Sequence, residues 1–279
     1  MPTRPPADFV QRYGPWAVVT GASDGIGREC ARQLAARGLN LVIVARREPT
    51  LQELARELIE DFGVEVRPVA ADLAGAAGLA RLDGAVRGLE VGLLVAAAGY
   101  GTSGDFIAAD LAAELNMLEV NCAAVLQLTH RFAGDFVRRG RGGIVLFGSL
   151  VGFQGAPHAA HYAATKAYVQ TLGEGLHVEL APRGVAVLVS APGPVHSGFA
   201  DRARMKMGAA DTPATVARDT VAVLGRKMTV TPGALGKFLT WSLMTAPRSL
   251  RTRLMGKIMG GMAAGGARAK QSPGGQAGA

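Results

Sequence analysis

Short, continuous apolar runs rich in valine, isoleucine and leucine alternate with longer helical patterns from Trp16 onward, and this alternation constrains the chain more than any other feature. The runs AVV (17–19), LVIV (41–44), VEVRPVA (64–70), VGLLVA (91–96), GIVLF (143–147) and VAVLVS (185–190) read as strands. Being mostly apolar on both sides of the pleat, they need cover on both faces, as in βαβ units wound into a parallel sheet. Helical patterns fill the intervals. GIGRECARQLAARG starts at about 25 and stops at Gly38, a C-cap glycine, and LQELARELIEDFG puts Leu51, Leu54, Leu58 and Ile59 on one stripe. Two longer patterns run over about 105–139 and 160–181. The predicted fold class is α/β: one domain, 1–246, built on a doubly wound parallel sheet, with a helical extension over 247–262. The last 20 residues hold seven glycines and almost no large side chains, so 263–279 is expected to be a disordered tail.

Composition narrows the function classes. With 49% hydrophobic and 19% charged residues the chain has the material for a large core. Two cysteines, Cys30 and Cys122, make neither a disulfide framework nor a zinc site, and no metal site is expected; His158 and His161 lack metal-like company. MPTRPPADFVQRYG has no apolar signal-peptide region, and the most apolar stretch, LGKFLTWSLMTA, contains Lys237 and does not span a bilayer. The expected location is the cytoplasm. Net charge is +8, but residues 201–279 hold 13 basic and 3 acidic residues. No helix-turn-helix signature, zinc spacing or aromatic-basic interleave accompanies that charge, so nucleic acid is not an expected partner. Anionic lipid, or an acidic or phosphate-bearing substrate, suits it better.

The first strand leads into Thr20-Gly21-Ala22-Ser23-Asp24-Gly25-Ile26-Gly27 and then a helix. A tight glycine turn there brings backbone and a helix N-terminus close to a pyrophosphate, which points to a dinucleotide. The second strand ends in Arg46-Arg47, where an acid would bind a ribose 2′-hydroxyl; arginine instead pairs with a 2′-phosphate, favouring NADP(H) over NAD(H). Tyr162 and Lys166 stand four apart on a predicted helix, hence on one face, and a nearby ammonium is expected to lower the phenol pKa towards the range of an acid catalyst. Ser149, just past the fifth strand, belongs at the same sheet edge as the glycine turn, and Asn121 adds a polar group from the preceding helix.

With these motifs the chain resembles the short-chain dehydrogenase/reductase family over about 14–200, through TGxxxGxG, Asn121, Ser149, YxxxK and Pro192-Gly193. The resemblance implies a Rossmann fold and NAD(P)-dependent oxidation or reduction of a CH–OH/carbonyl pair. It implies Tyr162 as proton donor to the carbonyl, Lys166 on the nicotinamide ribose, Ser149 orienting the carbonyl, and Asn121 in a proton relay through water. It sets Asp72 and Leu73 beside the adenine, Ala97 and Ala98 beside the ribose, Pro192 and Gly193 along the nicotinamide, and Val195 and Ser197 near its carboxamide. Where the family usually reads N-N-A-G, this chain reads Ala96-Ala97-Ala98-Gly99 and lacks those bracing asparagine side chains; Ser197 replaces a usual threonine. YGPWAVVTGASDGIG and AARGLNLVIVARR are similar to the branch of 3-oxoacyl-CoA reductases and 17β-hydroxysteroid dehydrogenases, which implies a ketone substrate of lipidic character and a homo-oligomer, dimer or tetramer.

After Pro247, residues Leu250, Leu254, Met255, Ile258, Met259 and Met262 make a stripe at helical spacing, with Arg251, Arg253 and Lys257 largely away from it. This suits a peripheral membrane contact through 247–262, a cover over an apolar substrate, or packing on the core or a partner subunit. Residues 194–212, with Met205 and Met207, are expected to form the substrate loop. Two other readings remain: a non-catalytic NADP(H)-binding sensor, and a peripheral membrane protein on the same fold.

Overall fold

A computed structural model describes residues 7–198, 202–203, 209–245 and 247–270. Its strands are β1 (Trp16–Thr20), β2 (Asn40–Ala45), β3 (Val66–Ala70), β4 (Val91–Ala96), β5 (Gly142–Phe147), β6 (Val185–Ser190) and β7 (Thr229–Val230). All pair in parallel, in the order β3-β2-β1-β4-β5-β6-β7. The expected doubly wound Rossmann sheet is therefore present, extended by the short β7, which carries no apolar run in the sequence. The order reverses between β1 and β4, and the crevice beyond their carboxyl ends is where such sheets receive ligands.

The helices are α1 (Ala7–Tyr13), α2 (Gly25–Ala35), α3 (Glu48–Phe62), α4 (Ala76–Ala85), α5 (Leu111–Leu118), α6 (Ala124–Arg139), α7 (Ala160–Leu180), α8 (Pro213–Ala222), α9 (Ala234–Met244) and α10 (Arg248–Lys270). Strand side chains alternate between two cores. Ala17, Val19, Leu41, Ile43, Leu93 and Val95 pack with Leu34, Leu54, Leu58 and Val216 on one face. Val18, Val42, Val44, Leu94, Ile144 and Leu146 pack with Leu82, Leu128, Phe132 and Phe136 on the other. This two-sided burial is why the strand runs are apolar without a break.

Helix α2 ends three residues before Gly38, which adopts a φ of +80°. Gly38 N–H donates to the Ala35 carbonyl and Leu39 N–H to the Leu34 carbonyl, the paired closure that a left-handed glycine permits. The continuous pattern read over 105–139 is divided. A 3₁₀ turn (Phe106–Ala108) and α5 lead into a π-helical turn over Glu119–Ala123, which passes into α6. The last helix continues to Lys270, into the stretch expected to lack order; residues 271–279 lie outside the described ones.

Candidate active site

A cleft of about 330 Å³ opens at the carboxyl edge of the sheet. Its floor is the turn from β1 into α2. Gly21 and Gly25 hold φ values of +69° and +54°, which side-chain-bearing residues rarely adopt. A Cβ on Gly21 would stand 2.8 Å from both the Ala97 carbonyl oxygen and the Ala98 nitrogen, and one on Gly27 would stand 2.3 Å from the Gly21 oxygen. Only glycine closes this turn. Asp24 caps α2 by accepting from Gly25 N–H at 2.7 Å. Ser23, Asp24, Gly25, Ile26, Gly27, Arg46, Arg47, Asp72, Leu73, Ala97, Ala98, Pro192, Gly193, Val195 and Ser197, the residues assigned from sequence to a dinucleotide, all line this one cleft. The Arg47 guanidinium donates to the Ser23 hydroxyl at 3.3 Å, drawing the end of β2 towards the glycine turn. A turn that needs glycine at 21, 25 and 27, a helix N-terminus and two arginines in place of an acid fit an NAD(P) dinucleotide.

Tyr162 and Lys166 occupy the first turns of α7, on its buried face, and Ser149 caps the 3₁₀ turn that follows β5. All three line the same cleft. Tyr162 and Ser149 are joined by a side-chain hydrogen bond. Lys166 Nζ donates to the Phe147 carbonyl oxygen at 2.8 Å and lies 5.8 Å from the centroid of the Tyr162 ring. The expected lowering of the phenol pKa does not occur: burial pushes Tyr162 up to about 12, outweighing the Ser149 hydrogen bond. Burial also brings Lys166 down to about 8, so the cation that was to lower the phenol is itself weakened by the same dry surroundings. At neutral pH the phenol keeps its proton.

Asn121 is the predicted site residue that does not line the cleft. It is buried in the π-helical turn, and its side chain accepts from Tyr100 N–H at 3.1 Å and donates to the Tyr100 carbonyl at 2.9 Å and to Thr165 Oγ1 at 3.0 Å. A Cβ on Gly99 would come within 3.0 Å of Asn121 Oδ1 and 3.5 Å of Lys166 Nζ, so Gly99 lets this wall sit close. Thr20 Oγ1 accepts from Ala98 N–H at 3.0 Å. The segment carrying Ala96 and Ala97 is thus tied on both sides despite the lost asparagines. His161, beside the tyrosine, pairs through Nδ1 with the buried Glu114 carboxylate at 2.6 Å, tying α7 to α5.

Further residues complete the lining. Tyr100, Arg202 and Leu239 border the cleft, together with Met255, Ile258, Met259 and Met262 from α10. Met255 and Met259 are buried among Met117, Leu150, Val151 and Tyr162. The helical spacing of the methionines was visible in the sequence, but the surface they pack on was not. Of the expected substrate loop, Val195 bridges to Asp211 and Ala203 accepts from Ser103 Oγ at 2.6 Å; Met205 and Met207 lie outside the described residues. Among the described residues no helix is long and apolar enough to cross a membrane.

The short chain dehydrogenase family matches residues 15–208. A 7beta-hydroxysteroid dehydrogenase of Clostridium sardiniense is 34% identical over 82% of this chain and 90% of its own length. A very-long-chain 3-oxoacyl-CoA reductase of Podospora anserina is 37% identical over 63% of this chain and 53% of its own. A short-chain dehydrogenase from Sphingobium yanoikuyae, solved in complex with NADPH, superposes with a TM-score of 0.75 at 29% identity, over 95% of this chain and 98% of that one. The chain belongs to the short-chain dehydrogenase family and is an NAD(P)-using oxidoreductase that acts on the CH–OH or carbonyl group of a small molecule.

Proposed function

We propose that this protein is an NADPH-dependent carbonyl reductase for ketones of lipidic or 3-oxoacyl character, with Tyr162 as general acid. The observation that carries the reading is the buried, protonated Tyr162 phenol, bonded to Ser149 where the glycine-lined half of the cleft meets the methionine-lined half. Bound NADPH supplies the hydride. The chain's own groups do the rest: the turn of Gly21, Ser23, Asp24, Gly25, Ile26 and Gly27 would hold the pyrophosphate, and Arg46 and Arg47 would pair with the 2′-phosphate. Asp72 and Leu73 would flank the adenine, Ala97 and Ala98 the ribose, and Pro192, Gly193, Val195 and Ser197 the nicotinamide.

Ser149 donates to the substrate carbonyl oxygen and fixes its direction. Tyr162 passes its proton to that oxygen as the carbonyl becomes an alcohol, and the phenolate is reprotonated from water. Lys166 holds the nicotinamide ribose and, when charged, stabilises the phenolate. Asn121 acts as a positioning residue through Tyr100 and Thr165. The apolar wall of Leu150, Val151, Met255 and Met259 supports an aliphatic or steroid-like substrate, in keeping with the names of the relatives. Exposed Leu111, Leu115 and Leu118 along α5 support a homo-oligomer.

The test follows cofactor absorbance with NADPH and with NADH, across 3-oxoacyl thioesters of rising length, ketosteroids and small aldehydes. Turnover with NADPH that grows with apolar length and disappears in Tyr162→Phe is the expected result. NADPH binding without turnover on any substrate would favour a non-catalytic sensor.

A further inference from the structure

The apolar stripe of α10 is divided between two surfaces. Met255, Met259 and Met262 turn towards the cleft, whereas Leu250, Leu254 and Ile258, spaced by four, form an outward row exposed by 47%, 40% and 46%. Arg253 and Lys257, both exposed, lie along the neighbouring row of the same outward face. Ile258 belongs to both surfaces, since it also lines the cleft. Beyond Asp219 the sequence has nine basic residues and no acidic one.

We propose that the outward face of α10 docks on a bilayer containing anionic phospholipid and so places the mouth of the cleft at the membrane surface. Large aliphatic side chains flanked by long cationic stems are suited to an interface, where the chains enter the acyl boundary and the cations meet phosphates. A second copy of this chain fits the face poorly, because an isologous contact would bring Arg253 and Lys257 against the same charges. The shared Ile258 gives the docking a consequence: an apolar substrate passes from the lipid along α10 to Met255 and Met259 without crossing water. The docking itself is independent of the substrate reading.

The test is flotation of the full chain with vesicles of phosphatidylcholine alone or mixed with phosphatidylglycerol, at low and high salt. Binding is expected to the mixed vesicles and to weaken with salt. Leu250→Glu/Leu254→Glu, and separately Arg253→Glu/Lys257→Glu, are expected to reduce it by at least about tenfold, since each basic residue near an anionic surface contributes on the order of a fivefold change. Neither pair lines the cleft, so turnover of a small water-soluble ketone should remain and report intact folding. Wild-type protein that stays unbound with phosphatidylglycerol at low salt overturns the proposal, as does unchanged binding by Arg253→Glu/Lys257→Glu. Self-association abolished by Leu250→Glu/Leu254→Glu, with no vesicle binding, would assign the face to a second copy. Because flotation needs no turnover, failure of docking and failure of the reductase reading are seen separately.

Discussion

The side chain of Asn121 pairs with both backbone polar groups of Tyr100, accepting from its N–H at 3.1 Å and donating to its carbonyl at 2.9 Å. This closed pair joins the π-helical turn to the segment leaving β4, the segment that lacks the asparagines usual there. Removing the amide leaves two Tyr100 groups and Thr165 without that partner. Asn121→Ala is therefore expected to lower unfolding free energy by about 1–3 kcal/mol, measured by urea denaturation. Asn121→Asp keeps the acceptor for Tyr100 N–H and should recover part of the loss; equal loss in both variants would contradict this account.

Tyr162→Phe removes one hydroxyl from a buried site and leaves the glycine turn intact. Turnover should fall by about 10²–10⁴-fold, while NADPH affinity, read by fluorescence quenching, stays within about threefold. A variant retaining most of its activity would transfer the acid role to another group.

The two buried groups at the centre carry opposite pH signatures. Lys166, lowered to about 8 from 10.5, binds fewer protons folded than unfolded between those values, so its contribution to stability is present above pH 10.5 and is lost as pH falls towards 8. Tyr162, raised to about 12 from 10.0, holds its proton longer when folded, so its contribution is present below pH 10 and is lost as pH rises to 12. In the reductive direction kcat/KM should decline above about pH 8, as Lys166 discharges in the free enzyme. Lys166→Gln should lower activity and remove that inflection; an unchanged inflection would assign it elsewhere.

Arg46 lines the cleft where an acidic residue would select the unphosphorylated cofactor. Arg46→Asp should weaken NADPH binding by about 10–100-fold and leave NADH much less affected, because a charge-assisted bond to a phosphate is lost and a like charge introduced. Parallel titrations with the two cofactors measure the ratio. No change in that ratio would place the 2′-phosphate away from Arg46.

Met259, on the inward side of α10, has 4% of its surface exposed and packs in one cluster with Leu150, Val151 and Tyr162. Met259→Ala should cost about 2–5 kcal/mol of stability by leaving a cavity. It should also raise KM for long 3-oxoacyl thioesters by about tenfold, with little effect on short ones. Equal effects on all chain lengths would mean that α10 supports the fold without shaping the substrate half.

The features legible in the sequence were those set by short-range geometry. The strand runs, the glycine turn from Gly21 to Gly27 and the i,i+4 placement of Tyr162 and Lys166 depend on backbone sterics and helical period, which each local segment carries with it. Since parallel strands deliver their turns to one edge, Ser149 and the glycine turn were also bound to meet there. The π-helical turn at Asn121 gave no such signal, because an extra residue in a helix leaves the apolar period nearly unchanged over so few residues. β7, with Thr229 and Val230 alone, is too short for a periodic pattern.

Long-range packing decided the rest. The methionines of α10 have the same spacing whether they face lipid, a partner or the cleft, and only the arrangement of α10 over Met117, Leu150 and Tyr162 chose among these. The acidity of Tyr162 was likewise beyond the reach of spacing. Four residues along a helix bring the ammonium near the phenol, but the sign of the shift follows from how much water the surrounding chain removes. That depends on elements as distant in sequence as β5 and α10, and here burial outweighs the Ser149 bond.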